Sequence, residues 1–385
     1  MSQSPIYLDY NATTPCDPRV IQKMLPFFGE VYGNPSNGLH IQGRKSAKAV
    51  DTAREQVAEL IGARSNEIIF TSGATESNNL AILGIVRMRQ NGKRKRIVTC
   101  VVEHKAVLLP CEKLKENGFD VVLLSVDKNG KVSIDEARRA ISDETLLVSI
   151  QGANNEVGTI QPIKELAEIA HQHGAFFHCD AAQAVGKIQV NVDEFGVDLL
   201  SMSAHKLYGP KGVGALFVRG GSNSIPMEPI WYGGGQENGL RSGTTNAPGI
   251  VGLGEACILA KSELEDDFAR IQEIRNQIEA QITSQILSTQ INGKEVDRLP
   301  NTSSLTFPGI DADALILNAP DIMIGTGSAC TSGAVEPSHV LTSMGITRDN
   351  AESTVRISLG RFNKEKEINI IVKSIMDAWS ILTNQ

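Results

Sequence analysis

The sequence of 385 residues has only six cysteines, and no two of them stand in a C-x-x-C spacing. Disulfide scaffolds and zinc modules depend on numerous or closely spaced cysteines, so neither class fits this chain. Scattered cysteines are typical of reduced thiols. One of them could still be a reactive group, and its surroundings must show which.

Long apolar runs and an excess of positive charge are also absent. No stretch of about 18 residues is apolar and uncharged, and the first ten residues lack the features of a secretory signal. The net charge of −7 and pI near 5.6 argue against a surface that neutralises nucleic-acid phosphates or anionic lipid. The basic run at 93–96 precedes an apolar stretch and is interpreted as a solvated loop, with a docking patch as the alternative. We expect a cytoplasmic protein with no direct nucleic-acid or membrane partner.

Between residues 67 and 218, short runs rich in β-branched residues alternate with amphipathic stretches of helical length. This alternation is typical of a parallel or mixed sheet that is covered by helices. The predicted strands are residues 67–71, 97–101, 121–125, 146–150, 175–179, 199–202 and 213–218. Examples of the predicted helices are 77–91, 105–117 and 163–173. We therefore predict an α/β fold with a mostly parallel, seven-stranded sheet.

The chain is longer than one hydrophobic core usually organises, so we expect two domains. A helix-compatible stretch over about 250–285 is interpreted as the connector between them. Beyond it, strand-like segments at 303–307, 322–324 and 355–358 interleave with helices and end on a helix over 364–382. The predicted large domain spans residues 16–260. The predicted smaller α+β domain combines residues 1–15 with 261–385.

The most informative motif is SMSAHKLYGPKG at residues 201–212. A predicted strand ends there in small and polar residues, presents Lys206 and then turns through glycine and proline. A lysine near other cations and partly removed from water has a lowered pKa, so its free amine can form a Schiff base. By itself the motif also fits an ordinary surface lysine at a strand end. Lys211, inside the glycine-rich turn, is interpreted as such a surface lysine.

Two other strand ends carry groups that suit a phosphate-bearing cofactor. Asp180 follows an apolar strand at its carboxyl end and could keep a pyridinium nitrogen protonated, or it could cap a helix. In residues 70–77 a strand passes through glycine into a helix, whose N-terminus favours a phosphate, with Thr75 supplying a hydroxyl. A capping box over 71–76 is the alternative. Because neither a P-loop nor a dinucleotide fingerprint is present, a nucleotide site is poorly supported.

A histidine and a cysteine complete the set of candidate residues. His104 follows another predicted strand and could lie against a cofactor ring, although a lone histidine is more often structural. Cys330 lies among glycines and small polar residues at 325–333. That composition predicts a mobile loop with an exposed thiol.

Taken in order, these motifs resemble the NifS/IscS-type cysteine desulfurases, within the class V aminotransferase group of fold-type I pyridoxal-phosphate (PLP) enzymes. The resemblance begins at YLDYNATT (7–14) and GNPS (33–36) and continues to VRISLGR (355–361), so it spans nearly the whole chain. The Ala-His-Lys sequence at 204–206 with Gly-Ser-Ala-Cys at 327–330 is highly specific. The resemblance implies the fold of a fold-type I PLP-dependent transferase, PLP as cofactor, L-cysteine as substrate and an obligate homodimer.

The resemblance also implies a role for each candidate residue. Lys206 corresponds to the Schiff-base lysine, Cys330 to the cysteine that takes the sulfur as a persulfide, and His104 to the residue that stacks on the ring and assists proton transfer. Asp180 corresponds to the partner of the pyridine nitrogen and Gln183 to the neighbour of the ring hydroxyl. The remaining expected cofactor contacts are Ala74, Thr75, Ser203, His205 and, from the other subunit, Thr244. The expected ligands of the substrate carboxylate are Asn155 and Arg356.

By the same resemblance, the products are alanine and a persulfide that passes to an acceptor protein. The acceptor is left open among an iron–sulfur scaffold, a tRNA-thiolation relay and a DNA-sulfur-modification system. Housekeeping members carry a further C-terminal tail that helps to dock the scaffold, whereas this chain ends at Gln385, so delivery to that scaffold is also open. The competing hypotheses are aminotransfer or selenocysteine lysis with Cys330 incidental, and a sulfur-relay docking platform that is slow without its partner.

Overall fold

The computed structural model describes residues 4–89, 92–326 and 336–383. In these ranges the strands are β1 (Ile6–Tyr7), β2 (Ile68–Thr71), β3 (Arg96–Cys100), β4 (Asp120–Leu124), β5 (Thr145–Gln151), β6 (Phe176–Asp180), β7 (Leu199–Ser203), β8 (Gly214–Val218), β9 (Gln290–Ile291), β10 (Thr302–Thr306), β11 (Ile322–Met323) and β12 (Thr354–Ser358). The helices are α1 (Pro18–Met24), α2 (Pro26–Gly29), α3 (Ile41–Ile61), α4 (Ala74–Met88), α5 (Lys105–Glu116), α6 (Ile134–Ala140), α7 (Ile163–Gln172), α8 (Val192–Phe195), α9 (Ala247–Gln285), α10 (Ala312–Leu317), α11 (His339–Ser343), α12 (Arg348–Glu352) and α13 (Ile368–Thr383). Short 3₁₀ turns occupy Ser65–Glu67, Ala204–Lys206, Glu237–Gly239 and Glu365–Glu367.

The largest sheet has seven strands in the order β2-β8-β7-β6-β5-β3-β4. The pairs among β3 to β7 are parallel, and β8 is antiparallel to both of its neighbours, so six strands run in one direction. The prediction of a mostly parallel, seven-stranded sheet is confirmed, and each predicted strand end lies within one residue of the observed end.

The predicted helix over 77–91 is wrong by three residues at its start. It begins at Ala74 because Gly73 takes a positive φ of 151° and redirects the chain there.

Apart from the edge strand β4, this sheet is buried on both faces, which is why its strands are apolar runs. Consecutive residues of a strand pack in the cores on opposite faces of the sheet, because strand side chains alternate between the two faces. Leu147 and Leu199 pack with α4 and α5, whereas Val148 and Leu200 pack on the opposite face, with α3, α7 and the first part of α9.

The helix α9 has 39 residues and joins two apolar cores along about 58 Å. Its first half places Ile250 and Leu253 in the core of the large sheet. Its second half places Ile274 and Ile282 in another core, built around the antiparallel sheet β12-β10-β9 and helices α10 and α13. The strand β1, near the N-terminus, pairs with β11 beside this second core. Helices α11 and α12, in contrast, pack on the core of the large sheet.

Among the residues that the structure describes, no helix combines the length and apolar character needed to cross a membrane.

Candidate active site

A cavity of about 420 Å³ lies at the edge of the large sheet where its parallel strands end. Because β2 runs in the same direction as β7, the carboxyl ends of β2, β3, β5, β6 and β7 meet at this edge. The volume is within the range of sites that hold a small cofactor. The cavity is lined by Ala12, Thr13, Ser72, Gly73, Ala74, Thr75, Glu76, Asn78, His104, Ala106, Gln151, Ala153, Asn155, Asp180, Ala182, Gln183, Ser203, His205, Lys206, Lys211 and Gly212. Nine of the twelve predicted site residues are in this set.

Lys206 enters the cavity from the 3₁₀ turn that directly follows β7. Its amine donates to the carbonyl oxygen of Ala12 at 2.9 Å and to that of Asn11. The turn folds back tightly, since a Cβ on Gly209 would lie 2.8 Å from the Cβ of Ala204. Glycine at 209 therefore permits the approach that holds the lysine at this strand end.

Asp180, the last residue of β6, is a buried carboxylate with two fixed hydrogen bonds. Its Oδ2 accepts from Nδ2 of Asn78 at 2.6 Å, and its Oδ1 accepts from the backbone N–H of Ala182 at 3.0 Å. Asn78 is a functional candidate that the sequence interpretation missed. It lies on α4 three residues after Thr75, and residues three apart share a helix face, so the position was a signal that could have indicated it.

The N-terminus of α4 opens into the cavity without a side-chain cap. Glu76 accepts from the backbone N–H of Ser72 at 2.8 Å, but the N-cap residue is Gly73, which has no side chain, so the capping box over 71–76 is incomplete. Gly73 has a positive φ of 151°, which favours glycine, and Gly214 of β8 packs closely against it, since a Cβ on Gly214 would lie 2.6 Å from the Cα of Gly73. First-turn N–H groups that no side chain caps form a site for an anion.

Hydroxyl, imidazole and ammonium groups surround this helix end. Thr75, Ser203 and His205 line the same cavity. Burial first, and then the positive charges of Lys206 and Lys211, lower the pKa of His205 to about 4. Lys211, interpreted from the sequence as a surface lysine, is exposed as predicted, and it also lines the cavity.

His104 is the N-cap of α5, and its ring lines the cavity. Its Nδ1 accepts from the backbone N–H of Ala106 at 3.0 Å. Burial lowers the pKa of His104, partly opposed by the carboxylate of Asp180. The neutral ring therefore carries its proton on Nε2, because Nδ1 is used as an acceptor.

Asn155 and Arg356 are adjacent, although only Asn155 lines the cavity. Arg356, on β12, is only 4% exposed and donates from Nη1 to the backbone oxygen of Asn155 at 3.1 Å. Its Nη2 donates to Oδ1 of Asp9 at 2.6 Å, and its buried Nε has no hydrogen-bond partner among the described residues. The sequence interpretation gave no role to Asp9, whose carboxylate accepts the hydrogen bond from Nη2 of Arg356.

Two of the predicted site residues that the structure describes, Arg356 and Thr244, do not line the cavity. Thr244 is exposed. Cys330 lies outside the described residues. None of the five described cysteines lines the cavity, and burial raises the thiol pKa of each, to about 12 for Cys111. Nor do the described residues contain a cluster of three or more histidine, cysteine or acidic side chains that could hold a metal ion.

Comparison with known proteins gives concordant matches over nearly the whole chain. The profile of the family described as Aminotransferase class-V matches residues 6–371. A protein of Rickettsia bellii named cysteine desulfurase IscS is 46% identical over 371 residues, which are 96% of this chain and 90% of the relative. Among solved structures, a NifS-like protein is similar with a TM-score of 0.91 and 39% identity, over 98% of this chain and 100% of the other. A structure described as SspA in complex with cysteine has a TM-score of 0.83 and 39% identity, over 93% and 100% of the two chains.

Proposed function

Because the chain belongs to the class V aminotransferase family, we propose that it is a PLP-dependent cysteine desulfurase. It converts L-cysteine to L-alanine and takes the sulfur as a persulfide on Cys330. The observation that carries the proposal is the convergence of Lys206, Asp180 and the uncapped N-terminus of α4 on one cavity. The relatives named cysteine desulfurase support the choice of reaction within the family.

The donor set of the cavity fits PLP. Lys206 would bond to the cofactor's carbonyl carbon, Asp180 would hold the proton on the pyridine nitrogen, and Gln183 would lie beside the ring hydroxyl. The anion site at the start of α4 suits the phosphate, which the remaining polar groups at that end would hold, namely the backbone at Ala74 and the side chains of Thr75, Ser203 and His205. When bound, PLP supplies an electron sink that acidifies the substrate's Cα.

The protein's own groups then handle the substrate and its protons. Asn155 and Arg356 would hold the carboxylate, and the unpartnered Nε of Arg356 supports this role. When the amino group of the substrate takes the place of Lys206, the freed amine of Lys206 would take the Cα proton, and Nε2–H of His104 would exchange protons with the same centre. The position of the proton in His104 follows from the hydrogen bond between Ala106 and Nδ1.

Cys330 supplies the nucleophile for sulfur. Its thiolate attacks the substrate sulfur, an S–S bond forms, and the Cβ–S bond breaks with its electron pair left on the carbon skeleton, which gains protons to become alanine. The raised thiol pKa values of the described cysteines support this assignment, because none of them ionises readily near neutral pH.

A homodimer is part of the proposal. Large apolar side chains are exposed on the segment before Thr244 and on the N-terminal region; for example, Trp231 is 57% exposed, Phe28 66% and Leu39 94%. Exposed apolar residues of this size favour an interface. A partner subunit would cover them and bring its Thr244 to the phosphate.

The domain division and the cellular role belong to the same proposal. A large domain over 16–260 and a smaller one made of 1–15 and 261–385 are supported by the separate core that joins Leu8 to residues between Ile271 and Ala378. We place the protein in the cytoplasm, where it would pass sulfur to an acceptor protein for iron–sulfur cluster assembly or thiolation.

The test is to load the purified protein with PLP, add L-cysteine with a reductant, and measure alanine and sulfide together. Mass spectrometry of the peptide that contains Cys330, without reductant, should show one added sulfur. Equal amounts of alanine and sulfide are expected. A keto acid in place of alanine would instead indicate aminotransfer, and activity with selenocysteine alone would indicate a lyase of narrower specificity.

A further inference from the structure

Lys187, to which the sequence interpretation gave no role, places its amine beside the candidate active site. The side chain is partly buried, and its Nζ donates to Oδ1 of Asn11 at 3.0 Å and to Oε1 of Gln183. Burial, and then the nearby charges of Lys206 and Arg356, lower the pKa of Lys187 well below its usual value. The amine donates to both acceptors, one on Asn11 and one on Gln183.

These hydrogen bonds determine which way round the amide of Gln183 lies. Its Oε1 is taken by Lys187, and its Nε2 donates to the backbone oxygen of Asn11 at 2.9 Å. If the amide were rotated by half a turn, its NH₂ group would face the amine, and its oxygen would face a carbonyl. Both contacts would then lose their hydrogen bonds, which is costly in a buried place. The N–H side of Gln183 is therefore held towards Asn11.

Asn11 is fixed in the same way from the other side. It is 1% exposed, and its Nδ2 donates to the backbone oxygen of Asn155 at 3.1 Å and to Oγ1 of Thr302 at 2.8 Å. Its Oδ1 accepts from Asn301 at 2.9 Å as well as from Lys187.

The backbone oxygen of Asn11 receives the hydrogen bonds from Gln183 and from the amine of Lys206. Lys187 thus contacts the side chains of two residues, Gln183, which lines the cavity, and Asn11, whose backbone oxygen accepts from the amine of Lys206.

We propose that Lys187 is a positioning residue, which orients Gln183 and Asn11 so that an N–H of Gln183 is always presented to the cofactor's ring oxygen. This inference rests on the proposed function, in which Gln183 lies beside the ring hydroxyl. With Lys187 present, the negative charge on that oxygen is stabilised by a donor. Without it, the amide of Gln183 keeps only its hydrogen bond to the backbone oxygen of Asn11, so the rotated orientation costs less, and part of the time the amide oxygen faces the ring oxygen.

The test is a spectrophotometric pH titration of the PLP-loaded protein in the absence of substrate. In Lys187→Met the ring oxygen loses its donor and becomes more basic, which favours the protonated form of the cofactor's bond to Lys206. We expect the midpoint of the visible transition to rise by about one pH unit, the size of one lost hydrogen bond to a charged group. The matched control is Lys261→Met, which removes an exposed lysine paired with Glu59 at 2.7 Å and should leave the midpoint unchanged.

A double-mutant cycle separates positioning from a general disturbance of the site. In a Gln183→Leu background the donor is already absent, so Lys187→Met should add no further shift. If the shifts instead add in full, Lys187 acts independently of Gln183, and the inference is overturned.

Should Lys187→Met fail to fold, Lys187→Gln carries the test, because its shorter side chain cannot reach both acceptors and should shift the midpoint in the same direction by less. An unchanged midpoint in the folded variant overturns the inference. If the wild-type protein develops no Lys206-dependent absorbance with PLP, the proposed function fails and this inference fails with it. Normal wild-type absorbance with an unshifted Lys187→Met overturns the inference alone.

Discussion

The seven-stranded and the three-stranded sheet differ in topology, and of these two only the seven-stranded sheet gathers reactive groups at one edge. In that sheet, six strands run in the same direction, so segments that are up to about 130 residues apart in the sequence end at one edge. In the antiparallel sheet β12-β10-β9, neighbouring strands end at opposite edges. The comparison teaches that parallel connections bring distant residues together, whereas the small sheet can hold only a few groups near the site.

The small sheet supplies a charged side chain beside the cavity and hydrogen bonds that hold residues near it in place. From β12, Arg356 reaches the backbone of Asn155, and from β10, Thr302 receives a hydrogen bond from Asn11. The segment that contains Cys330 follows β11 in the sequence. We therefore expect cofactor chemistry to depend on the large sheet and sulfur chemistry on the segment after β11.

The largest effect is expected for Lys206→Ala, at the edge of the large sheet. The variant should lose the visible absorbance of the covalently bound cofactor and all alanine formation. The amine of Lys206 is fixed just after β7 by hydrogen bonds to two carbonyl groups, and the variant has no amine at this position. Absorbance spectra and alanine assays provide the check. Lys211→Ala, which removes the other lysine lining the cavity, should keep the absorbance; if Lys206→Ala keeps it too, the assignment is wrong.

Cys330→Ser should separate sulfur chemistry from cofactor chemistry. The alcohol hardly ionises near neutral pH, so alanine formation from cysteine should nearly vanish. The variant should still bind PLP and change its spectrum on addition of cysteine, because those steps depend on the large sheet. Rapid-mixing spectra and alanine assays test both parts, with Cys16→Ser as the control. Alanine formation at the wild-type rate would remove Cys330 from the mechanism.

Asp180→Asn should retain PLP and lose turnover by roughly 10²–10³-fold, an amount typical of removing one electrostatic contact in an active site. A neutral amide cannot hold a proton on the pyridine nitrogen. Asn78→Ala, which removes the hydrogen bond to Oδ2 but keeps the carboxylate, should cost less. The ratio of the two kcat values is the measurement, and near-native turnover by Asp180→Asn would contradict the role of the carboxylate.

The smallest effect concerns stability and the centre of the large sheet. His178 of β6 is buried between Ser149 of β5 and Ser201 of β7, at 2.8 and 2.9 Å, and burial lowers its pKa to about 4. Between pH 6.5 and 4 the unfolded chain binds a proton there that the folded chain does not, so stability falls as the pH is lowered through this window. The contribution is up to about 3 kcal/mol.

Urea denaturation at several pH values should therefore show a shallower loss of stability for His178→Asn than for the wild type. The surface residue His171 provides a control of opposite sign, because its hydrogen bond to Asp198 raises its pKa. Loss of His171 should make the decline at low pH steeper. An identical pH dependence in His178→Asn and the wild type would contradict the buried neutral state of His178.

Local sequence patterns were sufficient to predict the strands of the large sheet and the residues at their carboxyl ends. Short, mainly apolar runs predicted the seven strands of the large sheet, since burial on both faces requires an apolar run. The sequence placed Lys206, Asp180 and His104 each at the end of a strand, and only the family resemblance joined them in one site; they meet because parallel strands end at a common edge. The start of α4 was misplaced because it follows from the positive φ of Gly73, which the hydrophobic pattern of the helix does not reveal.

The sequence by itself determined the α/β class, the strand ends and the chemical types at the site, because periodicity and residue type record how each segment is buried. Only the tertiary structure decided that Asn78 supports Asp180, that Asp9 engages Arg356, and that Lys187 and Asn11 hold Gln183. These partners lie up to about 350 residues apart in the sequence, and their hydrogen bonds depend on side-chain directions that no local pattern encodes.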